Sequence, residues 1–501
     1  MSDRPNVLFV IIDQLRADCV FGALAEHVRL PNLRALMDEA VTFTRHYSVA
    51  NPCGPSRASI LTGRYAMNHR SIRNGTPLAH DTPNLAGEVR KAGYLPLLFG
   101  YTDTSRDPRV LPPGDPALTS YEQVMPGFEE VVEMRLEQSL PWRAHLLAKG
   151  YDVPPYPDIF RPAGGHIDDP ALYRAEDSDT AFLTDAFLHA MAGRPRGWFA
   201  HLTYIRPHPP LVAPEPYNRM YDPAALPLPR RAGSFAETAA SHPYLGCYLR
   251  ERPVASTVEG FPDLAPTDAN VQTLRAIYLG LASEVDHHLG RVLDHLRRSG
   301  LYDDTLVIVT ADHGEMLGDH HAWGKSIYHD AAFHTPLVIR DPRHPERFGS
   351  AVDRPTESID IAPTILGWLG LEVPDTMDGR SLEPFLAGRA PADWREVTFS
   401  EVDFGDPVAP TLAQRELGLS PRQTGFAILR GAQFTYVHFN GGLPPLLFDR
   451  GGAGEAEDVG TRPEYREALL EAAQAMLDHR MTHADGRFVR TMVTGRGVLR
   501  G

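Results

Sequence analysis

Short runs of consecutive apolar residues recur along most of the chain, and segments of helical spacing separate them. Residues 7–12, 95–99, 198–204 and 306–310 are runs of this kind, without the alternation of a half-exposed strand. Runs apolar at nearly every position predict strands buried on both faces, as in a parallel sheet covered by helices. The expected class is α/β, with a large mixed, mostly parallel sheet sandwiched by helices. Between 268 and 300, Leu274, Ile277, Tyr278, Leu281, Val285, Leu289, Val292 and Leu296 recur at steps of mostly three or four. This predicts a long amphipathic helix closed by Gly300 and feeding straight into the strand at 306–310. Residues 105–165 and 205–265 are rich in Pro, Gly and charge, and are expected to be long excursions carrying substrate-selecting loops.

From about residue 396 the pattern changes. Residues 397–399, 425–429 and 434–439 are β-like, and Arg430-Gly431-Ala432-Gln433 suits a hairpin turn. A helix is predicted over 462–479. The expected division is a catalytic domain over 1–395 and a smaller C-terminal lobe over 396–501, with an antiparallel sheet and a packed helix. The tail 486–501 has little core of its own and is expected to wrap a neighbouring subunit of a homo-oligomer, a dimer or tetramer.

Charge and composition narrow the function. The 501 residues carry a net charge of −15, with acidic and basic residues interspersed. A nucleic-acid binder would show a basic face; an anionic small substrate here must be drawn in by a local charge such as a metal or an arginine. No apolar run approaches the ~18 residues of a membrane span, and the opening residues lack a signal-peptide layout, so a cytoplasmic protein is expected. The three cysteines, Cys19, Cys53 and Cys247, are scattered singly. They form neither a disulfide framework nor a zinc knuckle, and Cys19 and Cys247 read as buried structural thiols.

Candidate chemistry lies at strand ends, where open α/β sheets place their sites. The first strand runs into Asp13-Gln14, and the strand at 306–310 into Ala311-Asp312-His313-Gly314. Adjacent parallel strands would unite Asp13, Gln14, Asp312 and His313, a set suited to one divalent cation such as Ca²⁺, Mn²⁺ or Mg²⁺. Taken alone, each aspartate would serve as well as a helix N-cap. Asn51-Pro52-Cys53-Gly54-Pro55-Ser56-Arg57 then places a cysteine at the start of a short helix. Backbone N–H groups and the helix dipole there favour an anion or an oxyanion nucleophile. Arg57 would point its fork at a tetrahedral oxyanion.

Cys53-x-Pro55-x-Arg57, with Leu61-Thr62-Gly63 behind it, resembles the formylglycine signature of the sulfatases of the alkaline phosphatase superfamily. The strand-end pairs, Gly324-Lys325, Asp360-Ile361-Ala362-Pro363-Thr364 and Asp378-Gly379-Arg380-Ser381-Leu382 resemble further family landmarks in the same order. The resemblance implies an alkaline phosphatase-like fold. It implies that a formylglycine-generating enzyme oxidises Cys53, and that one metal, Ca²⁺ or Mn²⁺, sits on Asp13, Gln14, Cys53, Asp312 and His313. It further implies that Arg57 and Lys325 stabilise charge, and that Lys325 or His208, in Arg206-Pro207-His208-Pro209, assists the leaving group.

One departure points to a branch. Many sulfatases carry Gly-Lys-x-His after the strand at 95–99, whereas this chain has Gly100-Tyr101-Thr102-Asp103. That segment resembles the phosphonate monoester hydrolases, and implies that Tyr101, Thr102 and Asn74 bind substrate. Hydroxyls in place of an ammonium suit sulfate esters, phosphonate monoesters and phosphodiesters better than dianionic phosphate monoesters. Asp103 adds a negative charge to this segment, either outside the site or altering selectivity. The competing readings are a phosphatase or phosphomutase on the same scaffold, and a non-catalytic binding protein with unmodified Cys53.

Overall fold

A computed structural model of the chain describes residues 4–489 and 491–500. In chain order the strands are β1 (Asn6–Ile12), β2 (Val41–Phe43), β3 (His46–Tyr47), β4 (Ala50–Asn51), β5 (Pro96–Gly100), β6 (Glu129–Glu133), β7 (Phe199–Tyr204), β8 (Thr305–Thr310), β9 (Leu337–Arg340), β10 (Ser350–Val352), β11 (Thr356–Glu357), β12 (Thr398–Asp403), β13 (Gly425–Arg430), β14 (Phe434–Phe439) and β15 (Leu446–Asp449). An eight-stranded sheet has the order β10-β2-β9-β8-β1-β7-β5-β6. Its centre is parallel: β1 pairs with both β8 and β7, and β5 pairs with β7 and β6. Only β9 runs against its neighbours, β8 and β2.

The sheet is buried on both faces, as its apolar runs require. Leu8, Val10 and Ile12 of β1 enter one core, and Val7, Phe9 and Ile11 enter the other. The period of two divides each strand between the layers. The helix Asp268–Arg298 covers the first face, and all eight apolar positions read from its spacing lie in that core. The Thr267 hydroxyl caps its start. At its end Gly300 takes φ 69°, and the Leu301 N–H reaches Leu296 O at 3.0 Å. Glycine there turns the chain from helix into β8 without steric cost. The helices Cys53–Thr62, Leu85–Lys91 and Ile361–Trp368 cover the second face. This is the expected α/β sandwich, an alkaline phosphatase-like fold.

The strands of the last hundred residues form a second sheet, β15-β14-β13-β12-β4. β12 to β15 are antiparallel, and the helix Arg466–Thr482 packs on them through Met476, Ala472 and Leu469. The fifth strand comes from far away: Ala50 and Asn51 pair in parallel with Glu401 and Val402. The sheet therefore grips the chain two residues before Cys53. A further hairpin joins Thr491–Thr494 to Gly497–Arg500. Among the described residues, no helix is long and apolar enough to cross a membrane.

Candidate active site

Four strands deliver the site. β1, β8, β7 and β5 are parallel neighbours, so their carboxyl ends open on one edge. Asp13 and Gln14 follow β1, Asp312 and His313 follow β8, His208 lies just beyond β7, and Tyr101 follows β5. Cys53 is the first residue of its helix, and its ten residues are all buried. Ser56 Oγ ties this helix to β8 by donating to Asp312 O at 2.6 Å.

Ligating atoms of Asp13, Cys53, Asp312 and His313 lie within 4.8 Å of one another. His313 Nδ1 is 3.1 Å from Gly314 O, which fixes its proton there and turns the Nε2 lone pair inward, 3.2 Å from Cys53 Sγ. Burial holds the His313 imidazole down at about 4, so it is neutral and able to ligate at neutral pH. Burial and the charge of Asp312 raise Asp13. Burial opposes the charge of Asp312 too, but His313 and Arg57 outweigh it and keep Asp312 low. Asp13 Oδ1 is buried without a hydrogen-bond partner. Two facing carboxylates, an orphaned oxygen and an inward lone pair fit a divalent cation. Gln14 stands beside this set with φ 66°, its carbonyl held by Tyr278 at 2.7 Å. Its side-chain oxygen accepts Lys325 Nζ at 2.6 Å.

Arg57 is fully buried, and its fork is spent on the protein. It reaches Asp312 Oδ2 at 2.9 Å, Asp13 Oδ2 at 3.1 Å and Thr203 Oγ1 at 2.6 Å. It lies over the Tyr101 ring at 4.0 Å, and the Tyr101 hydroxyl itself bonds Asp13. The expected aim at a substrate oxyanion gives way to this alignment of the two carboxylates, because a buried guanidinium beside two acids satisfies them first. Lys325 Nζ bridges Gln14 and His208 Nε2, the latter at 2.8 Å. His208 Nδ1 faces Pro209 O, so Nε2 is the acceptor of the lysine proton. Burial and Lys325 push the His208 imidazole well down. Burial disfavours the Lys325 charge, yet Cys53, Asp13 and Asp312 more than restore it.

Asn74 Oδ1 accepts the Gly54 N–H at 2.9 Å. A Cβ on Gly54 would meet Asn74 Oδ1 at 3.0 Å and Asp103 O at 3.1 Å, so the turn beside Cys53 closes on a glycine. Thr102 Oγ1 is occupied by Gln123 O and Met125 N, away from the other site residues. Asp103 instead is buried with Oδ1 unpartnered and φ 48°. Burial holds its carboxyl well above the usual range, despite the charge of Arg57.

The sequence reading passed over Glu315, which accepts Gln14 Nε2, Leu317 N and Gly324 N and so braces the turn carrying Lys325. Its signal was its place two residues after His313. It also missed Thr203, the inner partner of Arg57. The excursion 205–265 supplies the helix Pro243–Glu251, whose Tyr248 holds Trp323 O at 2.7 Å and whose Tyr244 holds Ser326 O. These tyrosines, Pro52, Asn74, Arg252, Ser326 and Phe404 line a cavity of about 550 Å³ beside Lys325. A larger cavity, about 810 Å³, is lined by Pro55, Arg73 and Arg480 and does not include the metal-ligating set.

A two-sided, mostly parallel sheet with acids, imidazoles and a helix-start cysteine at its carboxyl edge defines a hydrolase of the alkaline phosphatase superfamily. The chain belongs to the sulfatase family: the family model described as Sulfatase matches residues 5–371. It is 39% identical over 499 residues to the multifunctional alkaline phosphatase superfamily protein PehA of Trinickia caryophylli, covering 96% of each chain. Among solved structures, the phosphonate monoester hydrolase SpPMH from Silicibacter pomeroyi superposes with TM-score 0.97 at 59% identity, over 99% of both chains. The phosphonate monoester hydrolase of Agrobacterium radiobacter superposes with TM-score 0.94 at 40% identity, over 99% of this chain and 100% of that one.

Proposed function

We propose that the chain hydrolyses sulfate esters, phosphonate monoesters and phosphodiesters, with formylglycine made from Cys53 as nucleophile. The observation that carries this reading is the setting of Cys53. Its sulfur lies against His313 among two carboxylates, and burial followed by the Asp13 charge pushes the thiol well above its ordinary range. A thiolate is disfavoured there, so cysteine itself would be a poor nucleophile. A hydroxyl at the same position is neutral until a cation activates it.

Asp13, Gln14, Asp312 and His313 would hold one divalent ion, Ca²⁺ or Mn²⁺. That ion supplies Lewis acidity toward the formylglycine hydrate and toward the ester oxygen. Arg57 keeps Asp13 and Asp312 aligned and ionised, acting through them as a positioning residue. Lys325 carries the positive charge that meets charge developing on the ester, and it is the proton source for the departing oxygen. His208, neutral and with Nε2 turned to Lys325, orients the ammonium. Asn74 and Tyr101 are proposed to bind the substrate, Asn74 through its amide N–H₂, since its oxygen is held by Gly54, whereas the Thr102 hydroxyl is engaged by Gln123 and Met125. The cavity beside Lys325 would take the leaving group, with Tyr244, Tyr248 and Phe404 offering faces for an aryl or alkyl ester.

The likeness to SpPMH and the absence of a lysine after β5 favour singly charged esters over dianionic phosphate monoesters. The unpaired, buried thiols of Cys19 and Cys247 support work in the cytoplasm. A formylglycine-generating enzyme is then a required partner. Exposed Met492, Val493 and Val498 on the last hairpin support a homo-oligomer, a dimer or tetramer. The test is a side-by-side turnover comparison of aryl sulfate, aryl phosphonate monoester and aryl phosphodiester. It uses metal-loaded protein whose intact mass carries the loss of about 18 Da expected for thiol-to-aldehyde oxidation. Turnover of all three above an aryl phosphate monoester is expected; a preference for the phosphate monoester would overturn the reading.

A further inference from the structure

The turn that carries Lys325 holds a second cluster of metal-binding side chains, outside the active site. His320, His329 and Glu455 bring ligating atoms within 4.8 Å of one another. The two imidazoles stack at 4.0 Å with 3° between their planes. His329 is only 3% exposed, and neither of its ring nitrogens makes a hydrogen bond. Its Nδ1 stands 3.4 Å from Glu455 Oε2, while Glu455 Oε1 accepts the Asp330 N–H at 2.6 Å. A buried imidazole with both nitrogens idle is costly, because each lost a water partner on folding. Other charges nearby are already matched: Asp330 pairs with Arg430 at 2.6 Å and Arg450 at 2.9 Å, and Asp319 pairs with Arg16 at 2.8 Å.

We propose that His320, His329 and Glu455 form a second metal site, for a borderline divalent ion of the Zn²⁺ kind, fastening the Lys325 turn to the C-terminal sheet. Two imidazoles and one carboxylate suit such an ion better than Ca²⁺, which prefers an all-oxygen shell. Burial keeps His329 down at about 4 and His320 at about 3, so both rings offer lone pairs at neutral pH. Burial and the Asp330 charge lift Glu455 to about 7, a cost that a bound cation relieves. A cavity of about 290 Å³ opens on all three residues and leaves room for a fourth, solvent ligand. Zn–N bonds of about 2.0–2.1 Å bring ligand atoms closer than they now stand, so the stacked rings must rotate toward the ion. The site is built from two distant parts of the chain, residues 320–329 and the turn at Glu455. Its occupancy would therefore hold the loop between His313 and Asp330 against the strands that end at β15.

The test is zinc uptake by native mass spectrometry on the full chain, in wild type, His320→Ala, Glu455→Gln and Asp13→Asn. Asp13→Asn disables the active-site ligand set, so zinc retained there reports the second site. Wild type is expected to bind one more zinc than His320→Ala or Glu455→Gln, and Asp13→Asn is expected to keep that zinc. Cobalt added to Asp13→Asn should give the visible bands of a tetrahedral ion, and the bands should vanish when His320→Ala is combined with it. Circular dichroism establishes that each variant is folded. Equal zinc uptake by folded wild type and His320→Ala, or no zinc on folded Asp13→Asn, would overturn the proposal.

Discussion

At the scale of single residues, the site depends on groups whose charge is set by burial. Asp103 sits beside the turn at Gly54 with an unpartnered oxygen, and burial keeps its carboxyl protonated well above the usual range. Its ionisation is displaced toward higher pH, and the charge it gains as pH rises would repel an anionic ester. Asp103→Asn should leave kcat/KM at pH 7 within about threefold and flatten its alkaline fall. A pH–rate profile of both proteins checks this; an unchanged alkaline limb would place Asp103 outside the site. Glu284, in the helix Asp268–Arg298, illustrates the same physics without catalysis. Neither carboxylate oxygen makes a hydrogen bond, and burial raises it to about 8. The folded chain then holds a proton that the unfolded chain releases near the ordinary glutamate value. Stability falls as pH rises from that value toward about 8. Glu284→Gln should reduce the drop in Tm between pH 5 and pH 8.5 by about a few degrees in thermal melts.

At the scale of elements, the active site is a junction between two sheets. Asn51, in β4, donates to Lys325 O at 2.9 Å and Ala332 O at 3.0 Å, while its backbone pairs with Val402 of β12. One residue thus joins the nucleophile's approach, the Lys325 turn and the C-terminal sheet. Asn51→Ala leaves the part-buried Lys325 carbonyl unpaired and Ala332 O with the Gly314 N–H alone, a loss of about 1–3 kcal/mol. A lower Tm and a drop in kcat of about tenfold or more are expected, the latter because Lys325 loses its register. An unchanged kcat in steady-state assays would show that the turn is held without β4.

These junctions also mark how far the sequence could be read. The central strands were legible because they are apolar at nearly every position, and the long helix because its spacing repeats over about six turns. The metal set was legible because Asp13 and Asp312 end such strands. β4 was not: two residues carry no period, and their partner lies 351 positions away, from Ala50 to Glu401. β6 was hidden for another reason. Its Glu-Glu-Val-Val-Glu reads as loop, yet charges are what an exposed edge strand carries to avoid pairing with another chain. Asp103 and Thr102 could not be separated by sequence. Which of two neighbours faces the site depends on the left-handed turn at Asp103, and Thr102 is drawn off by Gln123 and Met125.

At the scale of the whole molecule, the acidic chain sets two cations, the buried Arg57 and the half-buried Lys325, at one edge of the sheet, where an anionic ester would arrive. Phe488 and Val489, and Met492, Val493 and Val498 of the last hairpin, are exposed, from 64% to 83%. Apolar side chains displayed together in this way mark an interaction surface. Removal of residues 487–501 should lower the sedimentation coefficient to that of a smaller assembly while leaving kcat within about threefold, since no site residue lies there. The central claim concerns residue 53. Its most direct measurement is the fraction of Cys53 converted to aldehyde, by peptide mass, against specific activity in preparations made with graded amounts of formylglycine-generating enzyme. The expected result is a straight line through the origin, with Cys53→Ala lying at zero. Full activity in protein whose Cys53 remains a thiol would contradict it.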